Sequence, residues 1–205
     1  MDLLGLENEL KKRLSYPYNW GRKQSDSWDQ QTNFIYKTYS FKRLLERSNE
    51  LEPAVKNYAL NRWYNYWSAM GAEYIFSTHP EVKPNKNVYD KLVDFTIEGT
   101  PFNHKTSVFP RGYNQTPDYA FNHKKELIEW LYSNQSQQGR KHYKNRLFIV
   151  LNDPSGQHWK LKSEIQLLKS AIDNYLQTYN SENLINLNIQ GNNIYSDVIW
   201  IGNKK

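Results

Sequence analysis

The sequence has no cysteine, and none of its apolar runs approaches the length of about 20 residues that a membrane-spanning helix needs. Without cysteine, a disulfide framework and a thiolate zinc site are both excluded. The first residues mix acidic and basic side chains, which is not the order of a secretory signal. We therefore expect a cytoplasmic protein without a membrane partner, whose chemistry depends on oxygen, nitrogen or a hard metal ion.

Several motifs that carry enzymatic chemistry are also missing. The sequence has no glycine-rich phosphate loop, no Gly-x-Ser-x-Gly elbow and no dinucleotide-binding fingerprint. None of the five histidines lies three to five residues from another, so the spacing typical of zinc ligands is absent. These absences leave few chemistries open, and hydrolysis with a hard metal ion is one of them.

Positive charge is abundant. Lysine and arginine number 27 against 21 acidic residues, giving a net charge of +6. This balance favours a polyanionic partner such as DNA, because each cation placed on a phosphate releases a counterion. Two alternatives stay open: a basic solvated surface, and a structural protein whose 16 tyrosines and 7 tryptophans form an oligomeric interface.

The hydrophobic pattern predicts an α/β fold in a single domain, 1–205. Residues 1–52 are expected to form a helical and loop extension, and 152–205 a closing helix and strand. Residues 91–98 and 101–109 alternate as strands, and a turn at Gly99-Thr100 would set Asp94 opposite Lys105. Residues 180–193 are rich in asparagine and are predicted to be a mobile connection.

A possible site follows from three residues in sequence order: a glutamate on a long helix (Glu73), an aspartate on a strand (Asp94) and a lysine that ends an x-x-Lys motif (Lys105). This order resembles that of PD-(D/E)xK nucleases over about residues 53–151. The resemblance implies a restriction-endonuclease-like core, a central mixed sheet flanked by helices, that hydrolyses double-stranded DNA. It also implies Mg²⁺ or Mn²⁺ as cofactor, with Glu73, Asp94 and Lys105 catalytic and Glu73, Asp94 and Asn103 as metal ligands.

The sequence departs from the family pattern at two positions. Val93 replaces the proline, which supplies no ligand, and Asn103 replaces the second acid of the motif. An acid on the following helix is an alternative ligand, and the candidates there are Asp118, Glu126 and Glu129. Asp118 also fits a simple first-turn helix charge. The alternative function is therefore a catalytically impaired nuclease-fold module that binds DNA or a protein.

Basic and amide side chains of one polar segment are the predicted contacts to DNA: Arg140, Lys141, His142, Asn145 and Arg146. A solvated loop is the alternative interpretation of this segment. Arg22, Lys23 and Arg111 are weaker candidates for the same surface. Symmetric cutting of both strands would require a homodimer.

Overall fold

The computed structural model describes residues 1–19, 26–87, 90, 92–134 and 143–202. Contacts divide the chain into two compact units. Unit 1 consists of Met1–Gly71 with Lys162–Gln166, and unit 2 consists of Ala72–Leu161 with Leu167–Lys205. The single domain and its three segments, 1–52, 53–151 and 152–205, stay a prediction from the sequence.

Within the described residues, four α-helices precede the first strand and three lie between later strands. They are α1 (Leu3–Lys12), α2 (Asp26–Gln31), α3 (Phe41–Ser48), α4 (Pro53–Thr78), α5 (Pro117–Asn122), α6 (Lys124–Asn134) and α7 (Ile165–Gln177). Local sequence explains several of the helix starts. Asp2 caps α1 by accepting a hydrogen bond from the Gly5 amide at 3.0 Å, and Thr116 caps α5 through the Tyr119 amide at 3.1 Å. No helix of the described residues is long and apolar enough to cross a membrane.

Unit 2 is built on one six-stranded mixed sheet, in the order β1-β2-β3-β4-β6-β5. The strands are β1 (Val82–Pro84), β2 (Phe95–Ile97), β3 (Thr100–Val108), β4 (Arg146–Asn152), β5 (Ile185–Ile189) and β6 (Asn192–Gly202). Strands β1 to β3 are antiparallel, β4 is parallel to β3 and β6, and β5 is antiparallel to β6. The predicted α/β class with a mixed sheet flanked by helices is confirmed.

The turn between β2 and β3 lies one residue earlier than the sequence predicts. Ile97 pairs with Thr100, and the two turn residues between them, Glu98 and Gly99, have φ of 47° and 84°. Two-residue hairpins of type I′ need positive φ at both positions and favour glycine at the second. The predicted turn at Gly99-Thr100 would have put threonine at that second position, and it is wrong.

The corrected turn changes which residues meet across the hairpin. Phe95 pairs with Phe102, and both side chains are fully buried. Asp94 consequently lies beside Asn103, and the prediction that Asp94 faces Lys105 is wrong. In this register the two phenylalanines are cross-strand neighbours on the core face of the sheet.

The centre of the sheet is apolar on both sides. All residues of β4 are buried, as the continuous hydrophobic run predicts for a strand covered on both faces. Phe148 and Val150 of β4 pack with Leu127 and Leu131 of α6 in one core cluster. The cluster fixes α6 and holds the amino end of β4 beside β3.

Part of the asparagine-rich segment 180–193 is regular structure. It contains β5, which pairs with β6 across a turn at Gln190 and Gly191, both of positive φ. Leu187 of β5 is buried in the core cluster. The prediction of a mobile connection is therefore wrong for β5, since its backbone is paired and one side chain anchors it.

Candidate functional site

Asp94 lies immediately before β2 and is the centre of a polar cluster. Its Oδ2 accepts a hydrogen bond from the His104 amide at 2.8 Å and lies 2.7 Å from His104 Nδ1. Asn103 Nδ2 donates to both carboxylate oxygens, at 3.1 and 3.2 Å. Burial raises the pKa of Asp94, but these hydrogen bonds outweigh burial and hold the pKa below its ordinary value. Asp94 is therefore ionised at neutral pH.

Glu73, near the end of α4, lies within electrostatic range of this centre. Burial raises the pKa of Glu73, the His104 charge lowers it, and the Asp94 charge raises it further, for a net increase. The two carboxyl groups thus have pKa values shifted in opposite directions. Such divergence is typical of sites that need one proton donor and one anion.

His104 was not predicted as a site residue. Strand alternation puts its side chain on the face opposite Asn103 and Lys105. Asp94 precedes β2, however, so its carboxylate is reached by Asn103 and also by the His104 ring. Phe76 and Phe95 flank that ring, with centroids 6.0 and 6.2 Å away. No sequence motif marks His104, because its contact depends on where β2 begins.

Arg146 is part of this cluster and not of an exposed loop. Its Nε donates to Asn103 Oδ1 at 3.2 Å, and only 6% of the residue is exposed. The guanidinium lies over the rings of Tyr132 and Phe148, at 5.9 and 5.8 Å. Burial lowers the pKa of Arg146, with opposing contributions from Tyr132 and Asp94. Arg146 therefore orients Asn103, which corrects its predicted place on a DNA-contacting surface.

Lys105 lies two residues beyond Asn103, on the same face of β3. Burial, together with the nearby charge of Arg146, lowers the pKa of Lys105 to about 8. A substantial fraction of its amine is therefore neutral at mildly alkaline pH. We refer to Glu73, Asp94, Asn103, His104, Lys105 and Arg146 as the Asp94 cluster.

The Asp94 cluster offers carboxylate and amide oxygens to a divalent cation. The described residues contain no group of three or more histidine, cysteine or acidic side chains that could hold a metal ion. Mg²⁺ needs fewer, because it retains several waters and commonly uses one or two carboxylates with substrate phosphates. Glu73 and Asp94 supply two carboxylates, although both oxygens of Asp94 already accept hydrogen bonds from Asn103 or His104. Asn103 fits poorly, because its amide oxygen accepts from Arg146 and its nitrogen faces Asp94.

The remaining predicted residues lie elsewhere or outside the described part of the chain. Asn145 joins strands: its amide donates to the Pro101 carbonyl at 3.1 Å and its oxygen accepts from the Tyr195 amide at 2.9 Å. Asp118 is exposed in the first turn of α5, and Arg111 is exposed. Both follow the carboxyl end of β3, whereas Asn103 lies near its amino end.

Other predicted acids and cations can be placed more briefly. Glu126 accepts a hydrogen bond from the Tyr119 hydroxyl at 3.1 Å, and Glu129 is exposed on α6. Five predicted DNA contacts lie outside the described residues: Arg22, Lys23, Arg140, Lys141 and His142.

Comparison of this chain with protein-family models, with curated proteins and with solved structures finds no match in any of the three. The function proposed below therefore rests on the geometry of the Asp94 cluster and on the sheet that positions it.

Proposed function

We propose that the protein is a metal-dependent endonuclease that hydrolyses phosphodiester bonds of double-stranded DNA at the Asp94 cluster. One observation carries the proposal: Asp94 lies beside Asn103, and Lys105, with a lowered pKa, lies two residues further along the same strand. The cluster thus combines an ionised carboxylate with an amine that can gain or lose a proton near neutral pH.

The arrangement of elements supports the same proposal. Helix α4, the antiparallel strands β1 to β3, helices α5 and α6, and the parallel strand β4 follow one another in the chain. This is the helix–three strands–helix–strand order that a restriction-endonuclease-like core would have. In this proposal β5, β6 and α7 extend the core, and the sheet positions Asp94 immediately before β2 and Lys105 within β3.

A Mg²⁺ or Mn²⁺ ion would be held by Asp94 with help from Glu73, both of which supply the oxygen donors that hard cations prefer. When bound, the ion would neutralise negative charge that develops on the phosphate oxygens. Asn103 is not among the ligands in this proposal, since its oxygen is bonded to Arg146. Its role is to bridge the anionic Asp94 and the cationic Arg146.

Lys105 would accept a proton from the attacking water. A general base works best when its pKa is near the working pH, and burial beside Arg146 brings the pKa of Lys105 to about 8. His104 would hold Asp94 in position through its Nδ1 contact.

Cleavage of supercoiled plasmid tests the proposal. Wild-type protein should nick or linearise the plasmid with Mg²⁺ or Mn²⁺ and not with EDTA. Asp94→Asn should lower the rate about 100-fold or more, since a charge-stabilising group is worth several kcal/mol in a transition state. Asp173→Asn on α7 is the matched control, because it removes the same charge from a surface ion pair with Lys169.

Asp118→Asn tests the alternative that an acid on the helix after β3 is the second metal ligand. The position of Asp118 beyond the other end of β3 predicts cleavage at the control rate. Absence of metal-dependent cleavage in the wild-type protein, on any duplex tried, would reject the proposed activity.

A second function is favoured by the Asn103–Arg146 hydrogen bond. Asn103 stands where the motif has its second acid, and its oxygen is bonded to Arg146. The cluster could therefore belong to a module that binds DNA without cleaving it. Duplex binding that is salt-sensitive, independent of divalent metal and unchanged by Asp94→Asn, with no cleavage, would select this function over the nuclease.

A further inference from the structure

Unit 1 contains a basic groove that is separate in sequence from the Asp94 cluster. Its lining residues are Lys37, Thr38, Tyr39, Ser40, Arg43 and Arg47, around a volume of about 510 Å³. The three cations are exposed. Within the described part of the chain, the lining includes no carboxylate, and none of the three cations forms an ion pair.

Helix α3 directs two of the cations to the same side. Arg43 and Arg47 are four residues apart, so they lie on one helical face, and Lys37 precedes that helix. Like charges at this spacing destabilise a helix by about 0.2 to 0.5 kcal/mol. A bound anion would offset this repulsion.

Arg47 is held in one orientation before any ligand binds. Its Nη1 donates to Thr38 Oγ1 at 3.2 Å, and its guanidinium lies 4.7 Å from the centre of the Phe34 ring. These contacts reduce the rotamer freedom that an anion would otherwise have to restrict. A positioned arginine suits the forked geometry of a phosphate oxygen pair.

The amino end of α3 does not itself supply the anion site. The Glu9 carboxylate already accepts the Phe41 amide at 2.6 Å, which satisfies the first backbone donor of the helix. The Phe41 amide is therefore not available to an anion, and the three cationic side chains would supply the contacts.

We propose that this basic groove binds the sugar-phosphate backbone of duplex DNA. Small phosphate ligands are usually bound in enclosed pockets with a few convergent polar groups. Three separate exposed cations along an open groove fit a series of singly charged phosphodiesters better. The inference takes only its partner, duplex DNA, from the proposed function and makes no use of cleavage.

The test is anisotropy of a short fluorescein-labelled duplex, measured in EDTA between about 50 and 200 mM KCl. The variant Lys37→Gln/Arg43→Gln should raise Kd roughly tenfold and reduce the slope of log K against log salt by about two, since each lost phosphate contact contributes about 0.9. Thermal melting of each variant confirms that it is folded.

The matched control is Lys42→Gln/Lys83→Gln. Lys42 is the neighbour of Arg43 on α3, both control lysines are exposed, and neither lines the groove. We expect the control to change Kd less than about twofold, because these lysines contact no phosphate in this proposal. Equal effects of the two double variants, or no effect of the groove variant, would overturn the inference.

Competition distinguishes a nucleic-acid backbone from a free phosphate ligand. At matched ionic strength, pyrophosphate should displace the duplex no better than chloride does. Displacement by micromolar pyrophosphate would overturn the inference in favour of a small-ligand pocket. If Asp94→Asn and wild type bind the duplex equally while neither cleaves it, the nuclease proposal fails, but DNA binding by the basic groove is still supported.

Discussion

Asp94 has a structural role as well as a candidate chemical one. Its carboxylate accepts the His104 amide at 2.8 Å, at the point where the β2–β3 ladder ends. The side chain thus takes the place of a backbone carbonyl for a strand residue. Loss of Asp94 would affect both the hairpin and the cluster, so the neutral amide in Asp94→Asn is a better probe than alanine.

Asn103→Asp tests the missing acid of the motif directly. In the absence of metal, we expect a loss of about 1 to 3 kcal/mol in the free energy of unfolding, because the new carboxylate would lie beside that of Asp94 and repel it. The charge of Arg146 would offset part of this repulsion. Excess Mg²⁺ should reverse that loss of stability and raise the cleavage rate. Thermal melting with EDTA and with MgCl₂ measures the stability effect, and plasmid cleavage measures the rate.

The control for this variant is Asn186→Asp, which adds the same charge at an exposed position of β5. Its melting temperature should not depend on Mg²⁺. A melting temperature of Asn103→Asp that is equally insensitive to Mg²⁺ would contradict metal binding at Asp94.

Lys105 is expected to set the alkaline pH dependence of the proposed cleavage. With a pKa of about 8, its neutral form increases as pH rises, so kcat/KM should increase through pH 8 and then level off. A fall in kcat/KM above pH 8 would show that the charged form is the active one. Initial cleavage rates from roughly pH 6 to 10 make the measurement.

The lowered pKa of Lys105 also determines how stability should change with pH. Because burial disfavours the protonated amine, the folded protein binds fewer protons than the unfolded chain between pH 8 and about 10.5, and stability rises with pH over that interval. Lys105→Met should therefore be more stable than wild type at pH 7, with a free energy of unfolding higher by about 1 to 3 kcal/mol. Urea unfolding measures this difference. The difference between the two should disappear above about pH 10.5.

His104 is predicted to be a positioning residue for Asp94. His104→Phe keeps the ring packing and the backbone amide but removes Nδ1, so the pKa of Asp94 should move up toward its ordinary value. We expect kcat to fall about 10- to 100-fold with little change in KM, as for residues that orient a ligand. His104→Asn, which can present a side-chain nitrogen to Asp94, should recover part of the rate.

An NMR titration of the Asp94 carboxyl carbon separates this role from a general loss of stability. Asp94 stabilises the folded state above its unfolded pKa, and that contribution is lost as pH falls through the lower folded pKa. The destabilisation by His104→Phe should therefore be present at neutral pH and decrease in acid. An unchanged Asp94 pKa in His104→Phe would exclude the positioning role.

At the scale of elements, the two-residue turn at Glu98 and Gly99 determines which side chains meet. Both residues have positive φ, and Glu98 is poorly suited to it. Glu98→Asn should stabilise the protein by about 0.5 to 1 kcal/mol, because Asn-Gly is the preferred pair for this turn type. Urea unfolding measures the change.

Gly99→Ala, at the neighbouring turn position, should destabilise the protein. Space is open there, since a methyl group on the Gly99 α-carbon would meet nothing within 4 Å, so the expected loss of about 1 kcal/mol comes only from the positive φ of 84°. If Glu98→Asn destabilised the hairpin, the assigned turn, and with it the Asp94–Asn103 register, would be wrong.

At the scale of the whole molecule, the chain consists of two compact units, and buried cations occur in both. Arg146 lies in unit 2, and Arg13, which is fully buried, lies in unit 1. The Arg13 guanidinium donates to the carbonyls of Tyr16 and Pro17 at 2.7 and 2.8 Å and to Asn61 Oδ1 at 2.5 Å. Arg13 thereby fixes the chain that follows α1.

Arg13→Met is expected to cost about 2 to 4 kcal/mol of stability, because it leaves the buried Asn61 amide and two partly buried carbonyls without their donor. Unfolding in urea followed by tryptophan fluorescence gives the value. Arg43→Met, an exposed arginine of the same unit, should cost less than about 0.5 kcal/mol. Equal costs for the two variants would mean that the Arg13 contacts contribute little.

The sequence by itself determined the α/β class, the long helix from Pro53, the buried strand β4 and the α5 start at Thr116 and Pro117. Each of these depends on local periodicity or on a cap, which act over a few neighbouring residues. The sequence also placed Glu73 and Lys105 on the correct elements. It placed Asp94 within a strand, whereas β2 begins one residue later, at Phe95. It could not choose between two adjacent turns, since both contain Gly99.

Only the tertiary structure decided which side chains meet. The pairing of Phe95 with Phe102 places Asp94 beside Asn103 instead of Lys105 and brings His104 to its carboxylate. Parallel pairing of β3 with β4 placed Arg146 beside Asn103, although the two residues are 43 positions apart in the chain. Such contacts arise from the burial of distant apolar side chains in one core, and no local sequence pattern specifies them.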